Sequence, residues 1–572
     1  MTVVPSQSPV PDTDTDTDAD TGGAVAVPAA RAATPAGNGT DPAPAPASRK
    51  FLARAALVTA ALSIAGSVLG LVRDQSLARL FGAGSDTDAF LVAWTVPEIA
   101  ATLLIEDGLA IALIPAFSMA LARRARGEPG DPVRALVAAT LPRLCLAFAA
   151  TAALVAAAAP FLVQALAPGL PDPRLAVDCT RLTAISLLAF GIAGYCSAAL
   201  RAHRRFAAAG AIYVAYNTGI IAAMFLLGRT WGVRAAAVGV AVGGFLMVLV
   251  QLPSLWRQLA SRTPAVEGTA GAAEERPVRL ALIAAVLLFA LCRQSQVLVE
   301  RFLASSLPSG AISHLNYAQK VAQIPMTLSL MVCTVTFPVV ARALADGDTE
   351  RARDRVERDL VLSSCVVLTG MGAVIACAPQ MIELLFQRGA FTADDTMATS
   401  GVMRVYALGL LGQTLVGTLV RSYFSAGRPS WYPLAVMGVG IAATSVIGAV
   451  AVRPWGVAGI AAANAFGITV TAALLLAGLR TSRRGSPHGV SLRVRPVLAE
   501  LSRPVLAAVV ATAAGAFAAS RFASPAAGLA AGALSVTGVF AALSLALGIQ
   551  GSASAVRSVR TVTRRLTHGR SR

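Results

Sequence analysis

The sequence predicts an all-α polytopic membrane protein with about fourteen transmembrane helices. Apolar residues make up 56% of its 572 residues, and its mean hydropathy is +0.67. Charged residues make up only 14%, against about 25% in soluble proteins. Apolar stretches alternate with short breaks rich in arginine and proline, and each stretch reaches the roughly 20 residues that cross a hydrocarbon core. This composition excludes a water-soluble enzyme, a coiled coil and a disordered chain.

Residues 1–48 differ in composition from the rest of the chain. Five aspartates in a row of alternating positions are separated by threonine or alanine, from Asp12 to Asp20. Low hydrophobicity and this repeat are typical of a disordered tail, here an acidic one. The tail holds six aspartates and one arginine, a net charge of −5. The whole chain carries +18, so the residues after the tail carry about +23.

The apolar stretches define fourteen expected spans. They lie at about 52–80, 86–121, 135–160, 176–200, 206–228, 233–256, 280–306, 310–341, 359–379, 395–425, 431–452, 455–479, 500–521 and 525–549. We expect helices because only helices or closed barrels satisfy the backbone in lipid, and the alternation of strands is absent. The second, eighth and tenth spans are long enough to tilt or to continue past the membrane.

Arginine is concentrated in the breaks that follow even-numbered spans. Arg123, Arg124 and Arg126 follow the second span, whereas breaks after odd-numbered spans hold few, such as Arg174 and Arg229. The positive-inside rule therefore places the even breaks and both termini in the cytoplasm. The basic tail at 551–572 lacks the aromatic residues typical of nucleic-acid binding, which favours an anchor near anionic lipid. We expect no nucleic-acid partner.

The sequence contains no motif for covalent chemistry. Its seven cysteines and four histidines are scattered without the spacing of a metal site or a disulfide framework. A Walker loop, a Rossmann fingerprint and a nucleophile elbow are all missing. We therefore expect no cofactor, no metal and no enzymatic activity.

Ionisable residues within spans are costly in lipid and usually face a cavity or a partner. The first two spans hold several: Arg73, Asp74, Arg79, Asp86, Asp88, Glu98, Glu106 and Asp107. Arg79, Asp86 and Asp88 could lie at the outer interface, and Arg73 and Asp74 could pair with each other. A carboxylate at the depth of Glu98 either binds a cation or proton or pairs with a base. Candidates for ion coupling are Glu98, Glu106, Asp107 and Glu300.

The eighth span carries the clearest polar stripe. Its members recur at steps of three and four residues, which places them on one helical face: Ser309, Ser313, Asn316, Lys320, Gln323 and Thr327, with Gln319 adjoining. This pattern favours a water-filled cavity over a dry network between helices. A weaker stripe in the seventh span consists of Arg293, Gln296 and Glu300, and Arg404 and Gln413 are candidates in the tenth.

Two of these segments are related at a constant offset of 222 residues. The overlay of Ala78–Glu98 on Glu300–Lys320 aligns Arg79 with Arg301 and Glu98 with Lys320. Two pseudo-equivalent bundles around a central cavity are the common plan of secondary transporters, in which rocking of the bundles gives alternating access. The opposite charges of Glu98 and Lys320 could form a salt link across the cavity.

Several segments resemble the MurJ/MviN family of lipid II flippases. The first two spans contribute three, Ser67–Asp74 (SVLGLVRD), Ala78–Gly84 (ARLFGAG) and Thr87–Ala93 (TDAFLVA). The eighth span and the loop before the tenth contribute Leu315–Lys320 (LNYAQK) and Leu385–Asp394 (LFQRGAFTAD). With fourteen spans and both ends inside, the resemblance covers about residues 51–550.

The resemblance implies two six-helix lobes plus two extra C-terminal helices, a fold related to multidrug and polysaccharide exporters. The implied domains are a tail at 1–48, lobes at 49–260 and 276–480, the extra helices at 496–550 and a basic tail at 551–572. The implied activity is export of undecaprenyl-linked peptidoglycan precursor (lipid II) from the inner to the outer leaflet of the bacterial cytoplasmic membrane, for cell wall synthesis. Candidate partners are this precursor, membrane lipids and the cell wall synthesis machinery.

The candidate substrate cavity includes Arg73, Asp88, Glu98, Arg293, Asn316, Lys320 and Gln323. Carried over by position, the resemblance implies functional roles for Arg73 and Asp88. Lys320 stands where the family has an arginine, and Glu98 where it has an asparagine. Ser67, Ala101 and Thr102 replace three further arginines, and the eleventh span lacks the sodium ligands of some members. These departures leave an alternative open: a cation-coupled exporter of another lipid-linked glycan or small molecule, or a transport-deficient scaffold paralogue. A purely structural membrane protein is a third possible function.

Overall fold

Helices make up nearly all of the chain that the computed structural model describes. It describes residues 49–128, 130–260, 280–330, 340, 342–343, 346–425, 430–480 and 490–549. Within these ranges the only β pairing is one isolated bridge between Arg480 and Leu492. The expected all-α class is therefore confirmed, whereas both predicted tails, at 1–48 and 551–572, lie outside the described residues.

The N-terminal half forms a set of helices that we call the first bundle. They are α1 (Arg49–Phe81), α2 (Ser85–Ala101), a π-helix (Thr102–Asp107), α3 (Gly108–Ala125), α4 (Pro132–Ala157), α5 (Ala159–Leu166), α6 (Pro173–Ala202), α7 (Phe206–Gly210), α8 (Ile212–Trp231) and α9 (Arg234–Ala260). Helix α6 packs against α2, α4 and α9, while α8 packs against α1 and α9. Of these helices, α2, α6 and α9 are the most buried, whereas α4 and most of α1 remain exposed.

The second bundle follows, with a C-terminal pair of helices at its side. Its helices are α10 (Leu280–Ala304), α11 (Ala311–Ala322), α12 (Thr349–Ala376), α13 (Ala378–Phe386), α14 (Ala393–Ala407), α15 (Leu410–Ser425) and α16 (Tyr432–Gly478). The pair is α17 (Val494–Ala519) and α18 (Pro525–Ala546), which pack against each other and against α12. The boundaries between the predicted domains stay predictions.

The helices differ from the predicted spans where local geometry interrupts or extends them. Ten described helices are long and apolar enough to cross a membrane, or eleven if α14 and α15, which meet at a bend of 45°, form one span. Helix α16 covers the eleventh and twelfth predicted spans, because Gly456 alone leaves helical geometry, with φ of 54°. Helix α12 begins ten residues before its predicted span, since the Asp348 side chain caps it by accepting from the Arg351 N–H. The exact number of fourteen spans stays a prediction.

Pro97 shapes the second span where it approaches the centre of the molecule. Proline lacks the N–H that would bond the carbonyl four residues earlier, here that of Ala93. The Thr183 hydroxyl of α6 donates to this carbonyl at 3.3 Å, so the freed acceptor remains satisfied. A π-helix begins five residues later, a feature often found at functional sites. Glu98 lies between these two irregularities.

Helix ends beside even-numbered breaks contact one another, and so do helix ends beside odd-numbered breaks. A chain that crosses the membrane up and down requires this arrangement. Near the even breaks, Arg134 donates to the carbonyl of Leu259 at 2.9 and 3.0 Å within the first bundle. Within the second, Arg353 donates to the carbonyl of Ser491 at 2.8 Å. Near the odd breaks, the Ala390 N–H donates to the carbonyl of Arg79 at 2.9 Å, between the bundles.

Candidate functional site

A polar cavity of about 160 Å³ lies between α2 of the first bundle and several helices of the second. Its lining consists mainly of charged and amide side chains: Glu98, Arg293, Gln294, Gln296, Val297, Arg301, Asn316, Gln319, Lys320, Gln323, Tyr406, Gln413, Val416 and Ile468. Three cations face one carboxylate, so the lining carries a net charge of +2. Five of the seven residues expected in a substrate cavity lie here, and Arg73 and Asp88 do not.

The centre of the cavity holds an ion pair between the two bundles. Lys320 Nζ of α11 lies 2.7 Å from Oε1 of Glu98 on α2, and the two side chains remain 32% and 28% exposed. The salt link expected from the 222-residue offset is therefore present. Partial exposure leaves both charges within reach of water or of a ligand in the cavity.

Arg73 lies behind this pair rather than in the cavity. Its guanidinium bonds the neighbouring Asp74 at 2.8 Å and the Asn217 side chain at 3.2 Å. It also lies 4.3 Å from the ring centroid of Trp94, and Lys320 Nζ lies 5.6 Å from the same centroid. Both distances are within the range of cation–π attraction. Arg73 thus forms the internal pair that the sequence allowed, and it positions the Trp94 ring beside Lys320.

Arg301 is a cavity residue that sequence reasoning treated only as the arginine at the end of a span. Its side chain is 4% exposed and donates to the Ile312 carbonyl at 3.2 Å and to Asn316 Oδ1 at 3.1 Å. Its Nε, and the Nδ2 of Asn316, are buried without a hydrogen-bond partner. These bonds link α10 to α11 across the short break between the two helices. The one feature of the sequence that pointed to Arg301 was its alignment with Arg79 at the offset of 222 residues.

The carboxylates expected to couple ions are distributed over different environments. Glu98 lines the cavity, whereas Glu300 is 2% exposed and accepts a hydrogen bond from the Asn464 amide of α16. Glu300 does not line the cavity. Glu106 and Asp107 belong to the π-helix, but their side chains lie outside the described residues. A role for them in coupling stays a prediction.

Asp88 caps the start of α11 from the opposite bundle. Its carboxylate accepts from the N–H of Gly310 at 2.7 Å and from the N–H and hydroxyl of Ser313 at 2.7 and 2.5 Å. An acidic group at a helix N-terminus satisfies free backbone donors and the helix dipole. Gly310 adopts φ of 93° and packs on the carbonyl of Ala83, so a side chain at this position would be both strained and too close.

Asp88 is part of a seam that joins the two bundles on one face of the molecule. Besides its bonds to α11, the seam contains the Ala390–Arg79 backbone bond. It also contains a bond of 3.4 Å from the Gly169 N–H to Ser305 Oγ. All these contacts lie at breaks after odd-numbered predicted spans. The seam therefore joins the two bundles at the face that the odd breaks form.

A cluster of amides occupies the part of the cavity formed by α11, α14 and α15. Gln319, Gln323 and Gln413 each donate to the hydroxyl of Tyr406, at 3.0, 3.1 and 3.0 Å. Tyr406 is buried and was not predicted from the sequence. We call these four residues the amide cluster. Tyr406 and Gln413 lie seven residues apart, on α14 and α15 on either side of the bend, and both line the cavity.

Solved structures show which class of protein has this architecture. The structure titled "Lipid II flippase MurJ, inward closed conformation" superposes with a TM-score of 0.67 at 18% identity, over 86% of this chain and 99% of that one. An inward-facing multidrug resistance MATE family transporter of the MOP superfamily gives 0.57 at 15% identity, over 73% and 96%. The helical bundles and their enclosed cavity define a multi-pass membrane protein with the fold of these transporters.

The sequence comparisons identify the family within that class. The chain belongs to the MurJ family, since the model described as "Lipid II flippase MurJ" matches residues 77–533. The lipid II flippase MurJ of Burkholderia cenocepacia is 27% identical over 447 residues, 75% of this chain and 84% of the relative. The probable lipid II flippase MurJ of Bdellovibrio bacteriovorus is 26% identical over 457 residues, with 78% and 85% covered.

Proposed function

We propose that the chain is a flippase that moves undecaprenyl-linked peptidoglycan precursor from the inner to the outer leaflet. The observation that carries this proposal is the interbundle pair of Lys320 and Glu98 in a cavity with a lining charge of +2. A dianionic pyrophosphate headgroup matches that charge. The names of the family relatives support the same substrate, and translocation requires no covalent step.

In the proposed mechanism the pyrophosphate displaces Glu98 from Lys320. Lysine binds phosphate as a compact point charge, while arginine adds a fork of donors. Arg301 is held in place by Ile312 and Asn316, which keeps its charge at the cavity wall before the headgroup arrives. Arg293, Arg301 and Lys320 are the cations that line the cavity for this contact.

The same displacement offers a means of coupling transport to a cation. When phosphate occupies Lys320, the Glu98 carboxylate loses its partner inside the membrane, where an uncompensated charge costs several kcal/mol. A proton or a metal cation that neutralises Glu98 removes this cost. The loaded cavity would then carry substrate and cation together, and the empty cavity would re-form the Glu98–Lys320 pair.

We further propose that the structure represents a state closed to the outer side. Arginine-rich even breaks and the positive-inside rule place those breaks, and both termini, in the cytoplasm of a bacterium. The seam of odd breaks then lies on the outer face. The cavity of about 160 Å³ is smaller than the roughly 300–1,000 Å³ of typical ligand sites, so the bundles must separate to admit a headgroup.

Complementation tests the proposed function. The chain is expressed in a bacterium whose own lipid II flippase is depleted, with insertion verified by membrane fractionation. Growth that depends on Lys320 is the expected result. Lysis despite correct insertion would contradict the assignment and favour the alternative, an exporter of another lipid-linked glycan or a scaffold paralogue. Binding to the cell wall synthesis machinery is a separate proposal, which co-purification from the complemented strain would test.

A further inference from the structure

The amide cluster differs chemically from the cationic part of the cavity. Its members, Gln319, Gln323, Tyr406 and Gln413, are neutral, and amides and hydroxyls both donate and accept hydrogen bonds. Lys320 and Arg301, by contrast, only donate. Within the described residues, the three glutamine side chains bond only the Tyr406 hydroxyl. Each amide therefore keeps a second N–H and a carbonyl oxygen for a ligand.

The position of the cluster places it beside a bound pyrophosphate. Gln319 precedes Lys320, and Gln323 follows it by three residues, a rise of about 4.5 Å along a helix. Both side chains are half-buried and line the same cavity as Lys320. A ligand whose phosphate contacts Lys320 therefore has the amide cluster on the wall of the same cavity.

Tyr406 orients the three amides in advance. The three amide N–H groups share the two acceptor lone pairs of the phenolic hydroxyl, so its acceptor capacity is filled and the amides are held around one buried atom. Tyr406 is 2% exposed, which fixes the hydroxyl itself. Preorganised groups bind a ligand with less loss of entropy than mobile ones, and this favours a recognition site over a surface that merely tolerates water.

We propose that the amide cluster is the glycan subsite of the cavity, which recognises the hydroxyl and acetamido groups of the sugar next to the pyrophosphate. Sugar hydroxyls and acetamido groups present donors and acceptors without charge, as the cluster does. A phosphate would favour the cations, and a polyisoprenyl chain offers no hydrogen bonds. This inference rests on the proposed function, and it assigns specificity to Tyr406 of α14 and Gln413 of α15.

The test compares two lipids bound to the purified full-length chain in nanodiscs. One is undecaprenyl pyrophosphate, and the other is the same lipid carrying the disaccharide without its peptide. Gln413→Met and Tyr406→Phe are each expected to weaken binding of the disaccharide lipid about tenfold, the scale of one or two lost hydrogen bonds, with a much smaller effect on undecaprenyl pyrophosphate. Gln164→Met, at an exposed position of α5, serves as the matched control.

The outcomes separate this inference from the proposed function. Equal losses for both lipids in both variants, or unchanged binding of both, would overturn the glycan subsite. If the unaltered chain binds neither lipid, and Lys320→Ala changes nothing, the proposed function itself fails. Selective loss of the disaccharide lipid supports the subsite.

Discussion

Lys320 Nζ of α11 contacts Glu98 Oε1 of α2 at 2.7 Å, although the two residues are 222 positions apart and belong to opposite bundles. The pair is the direct ionic link between the bundles at the level of the cavity among the described residues. It must break whenever the bundles separate or an anion replaces the carboxylate. The charge state of the cavity and its conformation are therefore connected through one contact.

Substitution of Lys320 tests whether its charge binds the substrate. We expect Lys320→Ala to lower the initial rate of lipid II translocation in proteoliposomes at least about tenfold, because a charge-assisted bond is worth about 1.5–3 kcal/mol. Lys320→Arg should stay within a few-fold of the unaltered rate, since arginine retains charge and donors. The control is Arg229→Ala, at an exposed helix end. A normal rate for Lys320→Ala would exclude the phosphate role.

Glu98→Gln tests the proposed coupling. The amide cannot take up a proton or balance a cation, so translocation should no longer respond to an imposed proton or sodium gradient. The measurement is the ratio of translocation rates with and without the gradient in proteoliposomes. Asp86→Asn, at an exposed position outside the cavity, is expected to keep the normal ratio. If Glu98→Gln responds to the gradient as the unaltered chain does, another group couples the ion.

Asp88→Asn tests whether the seam holds the outer face closed. An amide has one acceptor oxygen in place of two, and an unmade bond to a buried group costs about 1–3 kcal/mol. The loss should shift the population towards separated bundles. Spin labels at Arg174 and Asp394, in a background without the native cysteines, should then report longer distances by pulsed electron resonance.

Two labels within the first bundle, at Arg174 and Arg229, provide the control for this experiment. Their distance distribution should be the same with and without Asp88→Asn, because neither label crosses the seam. An unchanged distance between Arg174 and Asp394 in the variant would show that Asp88 serves α11 alone and does not control closure.

The buried contact of Glu300 with Asn464 contributes to the stability of the second bundle. Asn464→Leu leaves the carboxylate without its amide donor, so we expect a lower Tm in detergent, with a loss of about 1.5–3 kcal/mol. The double variant Glu300→Leu with Asn464→Leu should recover part of this loss, as coupled neighbours do. Strictly additive effects of the two substitutions would show that the contact contributes no interaction energy.

Sequence periodicity predicted part of the cavity, because a polar stripe on an apolar helix is a local signal. It placed Asn316, Lys320 and Gln323 on one face of the eighth span, and the structure brings all three to the cavity. The offset between the two halves predicted the partner of Lys320. Arg73 and Asp88 were predicted from the resemblance to the family. The structure places Arg73 behind the cavity and Asp88 in the seam.

The features that sequence reasoning missed depend on how the helices bend and pack. Tyr406 reaches the cavity because α14 packs against α11, and Arg301 joins it through bonds to Ile312 and Asn316 of α11. The π-helix at Thr102–Asp107 has a similar origin, since α6 approaches its Leu104 carbonyl closely at Gly194. Such contacts join residues far apart in the chain, so a window of sequence does not reveal them.

Translocation of lipid II by the purified chain tests the central claim most directly. Proteoliposomes loaded with lipid II on one leaflet are assayed over time for its appearance on the other, with the unaltered chain, Lys320→Ala and empty liposomes in parallel. The account predicts transfer by the unaltered chain well above that of empty liposomes, and transfer by Lys320→Ala close to the empty level. Equal transfer in all three preparations would contradict it.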